Sequence, residues 1–215
     1  MSADVKGEVP RPKGGQARTR LARRAVIDAA RALFVERGYQ ATTIDAISAR
    51  ADVPAPTVYR LFSSKLGILE ALLDVSIAGD DQPLALQERP DVGALLAEPD
   101  PGELVVGLAR LTVAINTRSG DVYRILSSAA GSDAAAAELL TAYQRRRAQG
   151  QSRIARSLAR SGALRAGLRE RDAADLVHAL MSPELYRLLV MDRGWSPDRY
   201  RDWLAGLLAE QLLAR

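Results

Sequence analysis

"ADVPAPTVYRLFSSK", residues 51–65, carries two prolines two positions apart and then a run of helical character. A helix leaves its first four backbone N–H groups without intrahelical partners. Proline lacks that N–H, so it is harmless in the first turn and costs about 3 kcal/mol further in. Pro56 also disfavours helical geometry at Ala55. Both prolines are tolerated together only where a helix starts, so the pattern predicts one that begins within a residue of Ala55 or Pro56 and runs to about Phe62. On that helix Val58, Leu61 and Phe62 are the apolar set and face inward. Pro56, Thr57, Tyr59, Arg60 and Ser63 lie on or beside the outer face, which holds hydroxyls, one guanidinium and one aromatic ring but no acid.

The flanking sequence supplies partners for this helix. From Arg20 the pattern is helical, with Ile27, Ala30, Leu33 and Phe34 forming an apolar stripe. Gly38 in "ERGY" suits the left-handed position that ends a helix. "TTID" then places Thr42 three residues before Asp45, a capping-box pattern with Asp for Glu. The short helix it opens, Thr43–Arg50, buries Ile44 and Ile47. After Phe62, Ser63 or Ser64 caps a further helix through Leu66, Leu69, Leu72 and Leu73 to about Ala78. Two helices joined by about four residues form a helix-turn-helix unit, here about 43–62. Its polar outer face suits phosphates and base edges in a DNA major groove. Taken alone, "PTVYR" is equally the solvated surface of a helix pair.

Charge separates the two ends of the chain. Residues 1–66 carry twelve basic and six acidic side chains, a balance of +6, and the remainder carries −2. Such asymmetry implies a polyanion-binding end on a near-neutral body. The chain has 215 residues, no cysteine and one histidine, His178. A disulfide scaffold, a thiolate metal site and a His pair or triad are therefore excluded, and no cofactor or metal is expected. No apolar run approaches the roughly 20 residues of a membrane span, and the N-terminus lacks a secretory apolar block. The expectation is a cytoplasmic, non-membrane protein.

With these features together, "AARALFVERGYQATTIDAISARADVPAPTVYRLFSSKLGILEALL" resembles the N-terminal domain of the TetR family of bacterial transcriptional regulators. Ala30, Phe34, Gly38, Tyr39, Thr43, Ile47, Ala51, Val53, Tyr59, Phe62, Lys65 and Leu69 carry the resemblance. It implies an all-α fold: an N-terminal three-helix bundle with the helix-turn-helix, and a larger C-terminal helical domain for ligand binding and dimerisation. The division is 1–17 as a disordered basic arm, 18–66 as the DNA-binding domain and 67–215 as the C-terminal domain. The resemblance implies that Thr43 meets a DNA phosphate, that Pro56, Thr57, Tyr59 and Arg60 lie on the recognition helix, that Tyr59 touches the DNA backbone, and that Lys65 contacts a phosphate. Thr42, Ala55 and Ser64 complete the candidate DNA-binding set. Asp52 departs from the family's frequent turn glycine, and tolerates left-handed geometry better than most residues. Arg11, Lys13, Arg18, Arg20, Arg23 and Arg24 are candidate arm contacts to DNA.

Residues 79–101 are broken by prolines and glycines, with one short helix around Val92–Ala97. Beyond Gly102 the pattern is helical throughout, in segments near 103–117, 121–130, 133–162, 171–194 and 196–213, and no segment alternates as a strand does. Leu176, Leu180, Leu185, Leu188, Trp203, Leu207 and Leu208 form dense apolar faces. They are the candidate dimer interface, since large exposed apolar patches are rare on monomers. Asn116, Tyr123, Tyr143 and His178 are polar groups within apolar helices and the candidate pocket for a small hydrophobic effector. The expected function is a homodimeric repressor of a palindromic double-stranded DNA operator, released by a small molecule and not an enzyme. The alternatives are a dimeric DNA-binding regulator without an effector and, remotely, a helical binding protein or enzyme with a vestigial helix-turn-helix. Because each neutralised phosphate adds about 0.9 to the salt slope of binding, deletion of residues 1–17 is expected to flatten that slope. A titration of DNA affinity against salt for the truncated and full-length chains measures it.

Overall fold

The computed structural model describes residues 13–80 and 86–214. Its first helix, α1 (Lys13–Ala41), begins "KGGQARTRLARRA", in which the run after Gly14 and Gly15 is rich in Ala and Arg, both strong helix formers. The arm expected over 1–17 is therefore helical from Lys13 onward, and residues 1–12, Arg11 among them, lie outside the described residues. Arg18, Arg20, Arg23 and Arg24 stand on a helix and not on a loose arm. The stripe read from the sequence is the buried face of α1: Val26, Ile27, Ala30, Leu33 and Phe34 are all buried.

At Gly38 the helical path breaks, with φ 79° and ψ 165°. That region is open to glycine and almost closed to other residues. The break swings Thr42 inward, where it is 1% exposed and its hydroxyl donates to the Gly38 and Leu33 carbonyls at 2.8 and 3.3 Å. Thr42 is thus a buried fastening and neither the cap of the next helix nor a DNA contact. The cap is Thr43, extended at φ −107°, whose oxygen accepts from Ala46 N–H at 3.1 Å and opens α2 (Ile44–Ala51). The inward turn sets the register one residue later than the capping-box reading.

α3 (Ala55–Phe62) begins with Pro54 as its N-cap and Pro56 in its first turn, so neither proline removes a helical hydrogen bond. α4 (Lys65–Ala78) follows after two residues. α1, α2, α3 and the first turn of α4 belong to the first of two compact units, residues 1–68. The division therefore falls two residues beyond the one read from the sequence, inside α4. Among the described residues of this unit, α1 packs against α2 and α3, and α2 against α3.

The second unit, residues 69–215, continues through a short 3-10 turn (Leu86–Glu88) to α5 (Pro90–Leu96), α6 (Pro101–Ala130), α7 (Ala134–Arg160), α8 (Glu170–Leu180), α9 (Pro183–Tyr186), a π-helical turn (Arg187–Asp192) and α10 (Pro197–Leu212). Two differences from the sequence reading stand out. The segments near 103–117 and 121–130 are one continuous helix, α6, because Gly120 within it costs only about 1 kcal/mol against Ala while both halves bury one apolar face. The segment 171–194 is instead broken, because Pro183 disfavours helix at Ser182, whose hydroxyl oxygen accepts from Leu185 N–H and restarts the chain as α9. α6 packs against α7 and α10, and α8 against α7. The core is built from Leu104, Leu108, Ile154, Leu158, Val177, Tyr200, Leu204, Leu208 and Leu212 with their neighbours. Among the described residues there is no β-strand, only a single bridge pairing Leu164 with Leu213. None of their helices is long and apolar enough to cross a membrane.

An added Cβ at Gly38 meets no atom within 4 Å, so only backbone geometry resists a side chain there. Gly38→Ala is expected to lower stability by about 1–3 kcal/mol, measured by urea unfolding with an unchanged m value.

Candidate nucleic-acid interface

The helix-turn-helix is assembled from its turn outward. Asp52 closes α2 in left-handed geometry (φ 52°, ψ 41°), as its side chain permits. Ser48 ties the turn from below: its hydroxyl donates to Val53 C=O at 2.6 Å, and its carbonyl accepts from Val53 N–H at 3.2 Å. Sequence reasoning missed Ser48, which carries no signal beyond being a hydroxyl four residues before Asp52. Val53 is buried, and Pro54 C=O accepts the first two helical bonds of α3, from Thr57 and Val58.

On α3, Val58 is fully buried and Phe62 nearly so. Their burial turns the opposite face out: Pro56, Tyr59 and Arg60 are exposed, Ala55 and Thr57 half-exposed. Tyr59 is 51% exposed, unusual for so large a ring. Arg60 makes no ion pair among the described residues, whereas Arg50 is paired to Glu36 at 2.7 Å and Arg24 to Asp28 at 3.2 Å. Arg23 is half-buried with its guanidinium over the Phe62 ring at 4.9 Å, so it packs the far side of α3. Arg18 and Arg20 are exposed on α1. Thr43 is exposed at the start of α2, beside the helix N-terminus that favours an anion.

α3 ends in a strained turn. Ser63 has φ 63° and ψ −36°, and Ser64 N–H donates to Phe62 C=O at 2.7 Å. This is close to the rare γ-turn with positive φ. Ser64 then caps α4, its hydroxyl oxygen accepting from Gly67 N–H at 3.0 Å. One of its lone pairs is thereby used, and its hydroxyl hydrogen is what it can offer a phosphate. A Cβ on Gly67 would stand 2.1 Å from the Phe62 carbonyl oxygen, so only glycine lets α4 start this close to the end of α3.

Lys65 has protein partners in the free chain. Its ammonium donates to the carbonyls of Tyr39 (2.7 Å), Thr42 (2.8 Å) and Gln40 (3.3 Å) and lies 4.3 Å from the centre of the Tyr39 ring. In the free chain these three donors are directed at backbone carbonyls of the protein itself.

The outward face of α3, the capped N-terminus of α2 and the exposed arginines are the candidate surface for a nucleic-acid backbone. Residues 26–72 match the family model described as bacterial regulatory proteins, tetR family. The chain is also 30% identical over 181 residues to the HTH-type transcriptional regulator YdeS of Bacillus subtilis, covering 83% of each chain. This chain belongs to the TetR family. As such it is a DNA-binding transcriptional regulator. Solved structures share the TetR fold at lower identity. A transcriptional regulator from Saccharomonospora viridis in complex with choline aligns at TM-score 0.66 and 22% identity, over 90% of this chain and 98% of that one. SmeT, the repressor of the Stenotrophomonas maltophilia multidrug efflux pump SmeDEF, aligns at 0.63 and 21%, over 89% and 90%.

In the second unit, the candidate effector residues come together in part. α6 turns Thr112, Asn116, Ser119 and Tyr123 inward. The Thr112 and Ser119 hydroxyls bond back to their own helix, but the Asn116 amide nitrogen, on a residue 4% exposed, has no partner among the described residues. The Tyr123 and Tyr143 rings pack at 5.6 Å, and the Tyr123 hydroxyl donates to the exposed Glu184. Burial pushes the Tyr143 hydroxyl up to about 12 and raises that of Tyr123. His178 is held on α7: Gln151 donates to its Nδ1 at 2.5 Å in the orientation that lets the Gln151 oxygen accept from Arg147. Burial, then the Arg147 charge, lowers the His178 pKa. Sequence reasoning missed Gln151, Arg147 and Glu184. Among the described residues no group of His, Asp and Glu is placed to hold a metal.

The interface candidates divide. Leu208 is wholly buried in the subunit core, because its position on α10 faces α6 and not outward. Leu176, Leu180, Leu185, Trp203 and Leu207 are half-buried, and Leu188 is exposed beside Met191, at 48% and 71%.

Tyr59→Ala is expected to weaken binding to every DNA sequence by a similar factor, since a phosphate or sugar contact carries no base information. Arg60→Ala is expected to change the ranking of operator variants. A binding-site selection with each variant measures both, and equal loss on all operators for Arg60→Ala would count against base reading.

Proposed function

We propose that this TetR-family regulator is a homodimeric repressor that reads a palindromic operator with α3 and leaves it when a small hydrophobic molecule binds the second unit. The observation that carries the reading is the exposure of Tyr59 and unpaired Arg60 on a helix whose Val58 and Phe62 are buried. That face is polar and free of carboxylates, as a helix entering a major groove requires. Candidate contacts are Thr43, Ala55, Pro56, Thr57, Tyr59, Arg60 and Ser64, with Arg18 and Arg20 on α1 tracking phosphates. A protein that works on operator DNA in a bacterium works in the cytoplasm.

Dimerisation is supported by the apolar surface of α8, the π-helical turn and α10. Leu188 and Met191 are large and exposed on the π-helical turn, with the half-buried Leu176 and Leu180 on α8, Leu185 on the neighbouring α9, and Trp203 and Leu207 on α10. Two copies related by a two-fold axis would present two recognition helices to successive half-sites. Release by a ligand is supported by Asn116. A buried amide N–H without a partner costs on the order of 1–3 kcal/mol, and a ligand oxygen would recover it. The ligand would therefore carry a hydrogen-bond acceptor for Asn116, and the packed rings of Tyr123 and Tyr143 are the candidate apolar contacts. A structural neighbour solved in complex with choline is consistent with a small-molecule site in a protein of this fold. Such a ligand acts only by binding the state that does not fit DNA more tightly than the one that does.

The test is a gel shift on DNA flanking the protein's own gene, with and without a panel of small apolar molecules bearing a carbonyl or ether oxygen. Binding by a dimer, with release by some of the panel, is the expected result. Asn116→Leu is expected to keep DNA binding and to lose release. Binding that no ligand relieves would remove the effector from the proposal, and no binding at low salt would remove the DNA reading.

A further inference from the structure

Asn116 is not the only buried polar side chain of the second unit without a partner. Tyr143 is 6% exposed, and its hydroxyl makes no hydrogen bond among the described residues. Its neighbour Tyr123 differs, since that hydroxyl donates to Glu184. A buried amide N–H and a buried O–H without acceptors each leave a desolvation cost uncompensated. The two groups stand on facing helices. Only Gly131, Ser132 and Asp133 separate α6 from α7, so the pair is antiparallel, and the Tyr123 and Tyr143 rings at 5.6 Å fix its register.

Asn116 lies two helical turns before Tyr123. That returns it to the same face of α6 within about 20° and sets it roughly 10 Å further along the seam between α6 and α7. The same distance along α7 from Tyr143 ends beside Gln151, whose amide is already bonded to His178 and Arg147. Ser119, between the two levels, donates to the Ile115 carbonyl of its own helix. The register thus leaves Asn116 and Tyr143 as separate polar ends of one seam, with tyrosine rings beside it. Both ends call for an acceptor. The free atom of Asn116 is its amide nitrogen, which only donates. Burial pushes the Tyr143 hydroxyl up to about 12, so it keeps its proton, and the Arg147 guanidinium acts on it more strongly than the Glu184 carboxylate does. We propose that the effector is an elongated molecule with two acceptor groups roughly 10 Å apart, one taken by Asn116 and the other by the Tyr143 hydroxyl, with an apolar spine between them. This inference rests on the reading above that a small molecule relieves DNA binding, and it adds the length of that molecule and its second point of recognition.

The experiment measures, by calorimetry on the full chain, the affinity of dimethyl succinate, dimethyl suberate and dimethyl dodecanedioate. Each is set against the methyl monoester of the same chain: butanoate, octanoate and dodecanoate. Comparison at equal chain length isolates the second acceptor from the added apolar surface. In wild type the second ester is expected to strengthen binding roughly tenfold for suberate over octanoate, and not at all for succinate over butanoate, whose ends are too close. Tyr143→Phe removes one oxygen and keeps the ring, and in it suberate is expected to fall to the affinity of octanoate. Asn116→Leu is expected to do the same, while methyl octanoate still binds either variant through the end that remains. Equal binding of suberate and octanoate by wild type, the largest gain at succinate, or an undiminished gain in Tyr143→Phe would each overturn the proposal. If Asn116→Leu does not fold, Tyr143→Phe decides alone. If none of the esters binds while another member of the carbonyl and ether panel releases DNA, the two-point ligand is wrong and the effector reading stands. If suberate binds through both residues and DNA is not released, the two-point site is upheld and the release reading falls. If no compound binds or releases DNA, both fall together.

Discussion

Burial of Val58 and Phe62 governs the presentation of α3. An eight-residue helix has no stability of its own in water, and this one lacks a side-chain cap at its start. Each buried side chain contributes roughly 1.5–3 kcal/mol, and together they decide which side of α3 faces out. Everything else in the first unit serves to keep the two ends of that helix in place. Pro54 and Pro56 stiffen its start, Ser48 pins the turn before it, and the positive-φ turn at Ser63 with Gly67 beyond brings α4 hard against its end. The strain at Ser63 sits one residue from the polar face, where a rigid frame is most useful.

Electrostatics in this unit are selective. Several of its cations are already occupied: Arg50 by Glu36, Arg24 by Asp28, Arg23 by the Phe62 ring, Lys65 by carbonyls. Exposed pairs of this kind add little stability, but they remove charge from the count that a polyanion would meet. Arg18, Arg20, Arg37 and Arg60 remain exposed, and they lie on α1 and α3. The +6 balance of the N-terminal third therefore overstates the number of separate contacts, although the field at distance still depends on the sum.

The second unit concentrates its polar groups along one face of α6. Thr112 and Ser119 satisfy themselves on their own helix, while Asn116 does not. Its C-terminal elements are held by aromatic packing: Tyr186 on Tyr200, Trp195 on Trp203, and Arg199 stacked at 4.0 Å on Trp195. Arg118, two residues after Asn116, donates to the carbonyls of Ser76 and Ile77 and so caps the last turn of α4. A cation at a helix C-terminus is favoured by the helix dipole.

Much of the first unit was legible in residue order, because its signals are local. Proline geometry placed α3, glycine placed the break at 38, and apolar spacing placed the buried face of α1. The capping threonine was misread by one position, since the choice between Thr42 and Thr43 depends on which hydroxyl the Gly38 break turns inward. Pro183 was read as part of a helix, and Gly120 as a gap between two, because tertiary burial outweighed or exposed the local preference. The all-α class, the helix-turn-helix and the polar face of α3 can be read from residue order, because they follow from backbone rules acting within a few residues. That Leu208 is core, that the Asn116 amide finds no partner among the described residues and that Lys65 meets three carbonyls emerges only from the packed fold. Those outcomes depend on which groups from distant parts of the chain meet, and spacing along the chain does not encode that meeting.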